Sequence, residues 1–427
     1  MHQHYQHTRI EGAFAPLAVV AQLADSGLLT DHVVYEQDHR WYIAGNPIHE
    51  VRLDAGNIRV GERTFAWSGT PWEPLHSALH EAPAADWHAY GWLSFELASG
   101  VRTDLPLAHL IVPSTEVTVT KTELSVRTLD PDFPDRLRTL VARAPKPACA
   151  PKPVDVHNLP RTYQVRVAHT VTEIGRGRLD KAVLSRTVPV PFPVDMTATY
   201  VAGRTANNPA RSFLLDLGGI QAAGFSPETV IEAPGDGTAT TQPLAGTRAL
   251  TGDPDTDAAL RTDLHRDPKE VYEHATSVKL AVEELSSVGV PGATHVTDFL
   301  SVKPRGSVQH LASRVTTELA QGRTAWDALG AVFPPVTASG IPKSAAYRLI
   351  RELEDEPRGL YAGAVLRAGA DGSLDAALVL RAVYQQGGRA WLRAGAGVVG
   401  ASRPAREYEE TCEKLRSVAP YVVPKEG

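Results

Sequence analysis

Short strand-like runs joined by tight turns constrain the fold of this chain more than any other feature. From residue 210 to 246, "ARSFLLDLGG", "QAAGFS", "TVIEAP" and "GTATTQPLAG" follow one another with only Gly, Pro and Asp turns between them. Residues 360 to 400 repeat the pattern as a meander, "LYAGAVLRAG", "LDAALVLRAVYQQ" and "RAWLRAGAGVV", with "ADG" and "QGG" as the turns. Parallel strands need a crossover of a dozen or more residues, so strands this close in sequence pair antiparallel. Helices fall between the groups of strands. Tyr163, Val167, Val171 and Ile174 lie at helical spacing. A long helix opens at Asp267-Pro268 with Val271, Ala275, Val278, Val282 and Leu285 on its predicted buried stripe, and a last helix starts near Ser402 and Pro404. The expected class is α+β, antiparallel sheets flanked by helices, rather than a βαβ repeat.

At 427 residues the length fits two or three domains or one large unit. The proline-dense segment "ARAPKPACAPKPVDVHNLP", residues 142 to 160, reads as an extended connector and a soft boundary. Before it, "HVVYEQ" and "EVTVTKTELSVRTL" read as strands and "PWEPLHSALHEA" as a helix, with no motif tied to chemistry. The N-terminus "MHQHYQHTRIEGAFAPLAVVAQLADSGLL" reads as a helix and not a signal peptide, because the flank of its apolar patch is histidine-rich rather than cationic. His2, His4 and His7 are assigned to a mobile terminus rather than to a metal site. A net charge of −6, with no Lys/Arg-rich tract, argues against nucleic acid as a partner. No apolar run approaches the roughly 18 residues of a membrane span. The cysteines, Cys149 and Cys412, suit free thiols in a reducing cytosol, so a cytoplasmic location is expected.

Several groups could carry chemistry. Glu270 and Glu273 in "KEVYEH", and Glu407 and Glu410 in "REYEETCEKL", each stand three residues apart on a helical face. Two such faces suit Mg²⁺, which takes oxygen ligands and keeps several waters; the other reading pairs Glu410 with Lys414 as a surface i, i+4 ion pair. Gly395, Gly397 and Gly400 have GxGxxG spacing, but a dinucleotide loop needs a following helix and second strand, and only one helix remains. Those glycines could instead bring backbone amides close to an anion. "PLAGTR" and "FPPVTASGIPKSAAY" are small-residue turns, and the second enters a helix at Pro342 whose N-terminus could receive a carboxylate. Arg381 alternates with apolar residues on a strand and wants an anion. Lys181 heads the half-buried strand "KAVLSRTVPV", and Glu228 follows the Ser226-Pro227 break.

Together "KAVLSR", "GFSPE", "PLAGTR", "KEVYEH", "GSVQHL", "FPPVTASGIPK", "RGLYAGAV", "LRAGAGVV" and "EYEETCEKL", in this order, resemble the chorismate-utilising enzymes, most closely the salicylate synthases of siderophore pathways. The resemblance covers residues 163 to 422, the catalytic region, and is loose over residues 1 to 150. It implies one large anthranilate-synthase-component-I-like unit over residues 1 to 427, with the proline-rich segment an internal connector. It also implies that Glu270, Glu273, Glu407 and Glu410 gather around Mg²⁺. Gly246, Thr247, His310, Thr337, Tyr361, Arg381, Gly395, Gly397 and Lys414 match positions around the substrate, chorismate.

By the same resemblance Lys181 is a general base and Glu228 a general acid. Members that add ammonia typically carry glutamine where this chain has Lys181; members that add water carry lysine. A lysine that activates water must be partly neutral, which means lowering its pKa from about 10.4 toward 7 to 8. Glu228 would stay protonated and give its proton to the departing C4 hydroxyl. Isochorismate results, and a salicylate synthase then eliminates pyruvate from it. No glutamine amidotransferase subunit is expected. The rivals are an isochorismate synthase that releases this intermediate, a nucleotide-dependent oxidoreductase built on Gly395, Gly397 and Gly400, and a noncatalytic anion-binding module.

Overall fold

The computed structural model describes residues 4–99, 105–144, 149–306 and 308–426. Among these, the strands pair antiparallel and join into one continuous sheet that forks. The stem of the fork is the pairing of Arg40–Leu53 with Ala108–Val119. From Arg40–Leu53 one limb runs through His32–Gln37, Arg211–Leu217, Ile220–Ser226, Ala382–Gln386 and Arg389–Val398 to Lys181–Val190. From Ala108–Val119 the other runs through His88–Leu93, Ala364–Gly369, Leu374–Leu378, Thr229–Ala233 and Thr238–Thr241 to Val308–Glu318. That last strand also pairs with Leu244–Ala249 and His295–Arg305. The limbs face each other: Arg211 of the first forks onto Asp375 of the second, both nitrogens at 2.7 Å, and Tyr35 donates to the same carboxylate. Tyr35, Trp92, Phe213 and Phe225 are buried in the shared core.

The sheet runs across the proline-rich segment, since His32–Gln37 lies hydrogen-bonded beside Arg211–Leu217. Residues 145–148 of that segment lie outside the described residues. Residues 149–158 carry neither helix nor strand, and Lys152 and Val154 donate backbone hydrogen bonds to Val422 and Ala419.

Several local expectations change. The 360–400 region is not a meander. Leu374–Leu378 pairs with Thr229–Ala233 in one limb and Ala382–Gln386 with Ile220–Ser226 in the other, so the chain crosses between limbs at residues 379–381. Arg381 sits at that crossing with φ +51°, on a bend rather than a strand face. The N-terminus is a strand, Gln6–Glu11, paired with Glu123–Thr128, before the helix Pro16–Asp25; His7 is therefore part of the sheet, and His2 lies outside the described residues. The strand Lys181–Val190 is buried on both faces over its first half rather than half-buried. The long helix Pro268–Ser286 buries His274, Ser277, Val278, Ala281 and Leu285, so its inward stripe is rotated from the apolar one. The cause is polar pairing inside: His274 Nε2 lies 2.7 Å from Ser313 Oγ. A helix that the apolar pattern missed, Pro254–Arg266, is announced by its Asp253-Pro254 cap, with the Asp253 side chain accepting from Thr256 N.

Beneath the first limb lies a buried ionic hub. The Glu354 carboxylate accepts from Arg358 Nη2 at 2.7 Å, Arg393 Nη2 at 2.6 Å and Ser185 N at 2.7 Å. One carboxylate serves two guanidinium groups, so removing it strands both. We expect Glu354→Gln to lower the free energy of unfolding by about 3–5 kcal/mol, measured by urea titration; a loss under about 1 kcal/mol would show the arginines re-paired.

Candidate active site

Lys181 opens its strand between two others, with Ile341 opposite it on one side and the Val183–Gly397 pair just beyond it on the other. It is 4% exposed, and its Nζ donates to Glu273 Oε1 at 2.6 Å. A Cβ on Gly397 would stand 3.1 Å from Lys181 Cε and 3.6 Å from Glu273 Oε1, so the missing side chain leaves room for this pair. Gly395 is tighter still: a Cβ there would meet Leu184 O at 2.6 Å and Tyr361 Oη at 2.9 Å. Both glycines lie inside the strand Arg389–Val398, not in a strand-to-helix loop, which removes the structural basis of a dinucleotide reading. The alternative, close approach of backbone, agrees with these distances.

Glu228 follows the bend at Ser226-Pro227, with its carbonyl held by Ser226 Oγ at 2.9 Å and Leu378 N at 3.1 Å. It is 3% exposed. Burial pushes its carboxyl up to about 8, against the opposing pull of the Thr337 hydroxyl, the Leu244 N–H and the Lys181 and Lys414 charges. Thr337, expected at the substrate, donates to Glu228 Oε1 at 2.7 Å.

The four glutamates come from two helices, Pro268–Ser286 and Pro404–Leu415. Burial raises the Glu270 carboxyl, and the Glu273 charge adds to it; burial and Glu410 do the same at Glu407. Glu273 goes the other way, because Lys181, Lys269 and Lys414 outweigh its burial. No three of the four bring oxygens within 4.8 Å of one another. Lys414 Nζ lies 2.8 Å from Glu410 Oε1 and donates to Gly395 O at 2.9 Å, so the i, i+4 pair exists and also reaches the substrate-side strand. The donor set fits Mg²⁺: carboxylate oxygens only, two of them at proton affinity raised by burial and then by a neighbouring carboxylate, a like charge that a divalent cation would relieve.

At the other end, Gly246 has φ +81° and a Cβ there would stand 3.2 Å from Glu270 Oε2. Thr247 Oγ1 lies 3.0 Å from His310 Nδ1, and Arg381 Nη2 donates to His310 Nε2 at 2.7 Å. A guanidinium can only donate, so Nε2 is the acceptor and Nδ1 carries the proton. Burial, then the Arg381 charge, hold His310 well below its usual range, so the ring is neutral. Arg381 itself is lowered to about 10 by burial and then by Arg305. Among the described residues no carboxylate stands at ion-pair distance from it; its partners are His310 and the Arg305 carbonyl. Tyr361 is buried, its ring flanked by Arg358 and Arg393 at 5.7 and 5.6 Å.

Sequence reasoning missed Arg305 and the Glu354 hub. Neither has a local signature, because each is defined by distant partners. Outside the site, His157, Glu409 and Cys412 place donor atoms within 4.8 Å of one another. Two guanidinium groups already occupy them: Arg186 Nη2 is 3.1 Å from Cys412 Sγ and Arg416 Nη1 2.9 Å from Glu409 Oε1, which opposes a cation.

Four glutamates on two helices, a half-buried guanidinium without a carboxylate partner among the described residues and a buried carboxyl of raised proton affinity are groups chemically suited to a small polycarboxylate. A family model described as chorismate binding enzyme matches residues 31–420, and the chain belongs to that family: it is an enzyme that uses chorismate. It is 40% identical over 407 residues to the salicylate synthase of Mycolicibacterium paratuberculosis, covering 93% of this chain and 90% of that protein. Its fold is similar to anthranilate synthase component I from Streptococcus pneumoniae, with TM-score 0.77, 28% identity and coverage of 89% and 92% of the two chains. The menaquinone-specific isochorismate synthase of Escherichia coli shares the fold at TM-score 0.78 and 22% identity, over 98% of this chain and 95% of that one. Among the described residues no helix is long and apolar enough to cross a membrane.

Proposed function

We propose that the protein is a Mg²⁺-dependent salicylate synthase, converting chorismate through isochorismate to salicylate and pyruvate. The observation that carries this reading is a buried Lys181 whose charge acts on a buried Glu228, the carboxyl of which is raised by burial to about 8. A water-activating base and a protonated acid are the two groups that hydration at C2 with loss of the C4 hydroxyl requires. In its neutral form, reached by losing its ammonium proton to solvent before attack, Lys181 takes a proton from water, and Glu228 delivers its proton to the leaving hydroxyl. Arg381 and Tyr361 hold the enolpyruvyl carboxylate; Gly246, Thr247 and His310 line the ring, and Thr337 keeps Glu228 oriented. Glu270, Glu273, Glu407 and Glu410 would hold Mg²⁺, which supplies positive charge for the ring carboxylate, with Lys414 and the Gly395 and Gly397 backbone beside it. Elimination of pyruvate then aromatises the ring, and the protein's part is to hold the conformer. One unit spanning residues 1 to 427 carries this out in the cytoplasm without an amidotransferase subunit, and the product would serve siderophore assembly. The extent of similarity to a salicylate synthase supports the reading.

Purified protein given chorismate and Mg²⁺, without ammonia or nucleotide, is expected to release salicylate and pyruvate in equal amounts. Product chromatography reads this directly. Isochorismate as sole product would leave a synthase that releases its intermediate. Chelation with EDTA should abolish turnover and Mg²⁺ restore it; undiminished turnover in chelator would remove the metal from the scheme.

A further inference from the structure

Arg381 is not the only guanidinium here without an anion. Arg305 ends the strand His295–Arg305 and is half-buried. Its Nε donates to Pro227 O at 3.3 Å and its Nη1 to Pro304 O at 3.1 Å. Both acceptors are neutral carbonyls, and among the described residues no carboxylate stands at ion-pair distance from it. The two arginines are tied together, since Arg381 Nη1 donates to Arg305 O at 3.1 Å. Pro227 is the residue before Glu228, so Arg305 bridges the turn that presents the acid and the bend that presents Arg381.

Arg381 reaches the Arg305 backbone, and the Arg305 charge is felt at Arg381, where it adds to burial in lowering the guanidinium; like charges this near in a partly dry place repel unless an anion joins them. The protein supplies none, and it keeps the neighbouring ring neutral: His310, with its Nε2 accepting from Arg381, adds no third positive charge. Arginines as buried as these, or more so, do have an acid. Arg211 has Asp375, Arg204 has Glu36 and Arg393 has Glu354. The contrast marks the Arg305–Arg381 pair as waiting for a ligand carboxylate.

We propose that Arg305 is a second substrate-binding residue, forming with Arg381 a two-arginine clamp on the enolpyruvyl carboxylate of chorismate. Through Pro227, the clamp also couples seating of that carboxylate to the position of Glu228. This rests on the proposed reading of the site.

The test compares Arg305→Gln and Arg305→Lys with the wild type in steady-state turnover of chorismate and in direct binding of chorismate by calorimetry with Mg²⁺ present. Loss of a charge-assisted contact is expected to raise KM and Kd about 10- to 100-fold in Arg305→Gln, with kcat changed less than about threefold. Arg305→Lys, which keeps the charge, should recover a large part of the affinity. KM and Kd within about twofold of wild type in a folded Arg305→Gln enzyme would overturn the proposal. So would a fall in kcat alone with a displaced alkaline limb of the pH profile, since that would make Arg305 a tether of the Glu228 turn. Should Arg305→Gln fail to fold, Arg305→Met takes its place under the same criteria: KM and Kd raised about 10-fold or more support the clamp, and values within about twofold of wild type overturn it. Wild-type protein that binds chorismate but yields neither isochorismate nor salicylate would refute the proposed function and leave the clamp to the binding arm.

Discussion

Replacing Lys181 by alanine is expected to lower turnover of chorismate by about 10²- to 10⁴-fold, the range for loss of a positioned general base. The amine hydrogen-bonds Glu273 Oε1 from the strand side at 2.6 Å, and it is nearly inaccessible to bulk solvent. Removing it has a second consequence: Glu273 loses the cation that keeps its carboxyl low, so proton affinity there rises toward that of Glu270. Affinity for Mg²⁺ should therefore become more dependent on pH in Lys181→Ala than in the wild type, with metal still bound at pH 8. Rates from product chromatography and Mg²⁺ titration at two pH values check both halves. An alanine enzyme keeping more than about a tenth of the wild-type rate would place activation of water on another group.

Glu228→Gln is the second large effect, and it separates function from stability. The glutamine cannot donate a carboxylic proton, so turnover should again fall by about 10²- to 10⁴-fold. Stability should move the other way. In the folded protein the carboxyl is raised to about 8 from its ordinary 4.5. Below pH 4.5 both folded and unfolded chains carry the proton, and the stabilising contribution is fully present. As pH rises from there the unfolded chain releases its proton while the folded one keeps it, so wild-type stability declines by up to about 1.4 kcal/mol per pH unit. The loss is complete once pH passes about 8, the folded value. Over the whole window this amounts to roughly 3–5 kcal/mol. A glutamine has no proton to lose, while its amide oxygen can still accept from Thr337. Urea unfolding at several pH values should thus find Glu228→Gln flatter than the wild type between pH 5 and 8 and more stable at pH 8. Parallel curves for the two proteins would show that Glu228 ionises freely in the fold, and the acid role would go with it. Wild-type activity should carry an alkaline limb near pH 8 for the same reason.

Features written within a few residues were legible in the chain. The strands around Arg211–Leu217, Ile220–Ser226 and Thr229–Ala233 follow from period-two apolarity and turn residues. The start of the long helix follows from Asp267, whose side chain accepts from Lys269 N and Glu270 N as an N-cap. The same local logic failed where partners are remote. The 360–400 hairpins read as a meander because turn chemistry says which strands follow one another, not which limb each joins. The buried stripe of Pro268–Ser286 was misplaced because His274 and Ser277 are polar and face inward, a choice made by Ser313 on another strand. Arg381 was recognised as a residue in want of an anion, but its left-handed bend and its neighbour Arg305 were invisible.

The sequence by itself determined many of the elements, their antiparallel character and the kinds of residue that meet in the site, because backbone propensity, capping and side-chain period act over one or two turns of chain. Tertiary structure alone decided charge and proximity. Lys181 meets Glu273 across 92 residues of sequence, and the Glu228 carboxyl is raised because the folded chain buries it. Desolvation and ion pairing depend on what surrounds a group in space, and no window of neighbouring residues contains that information.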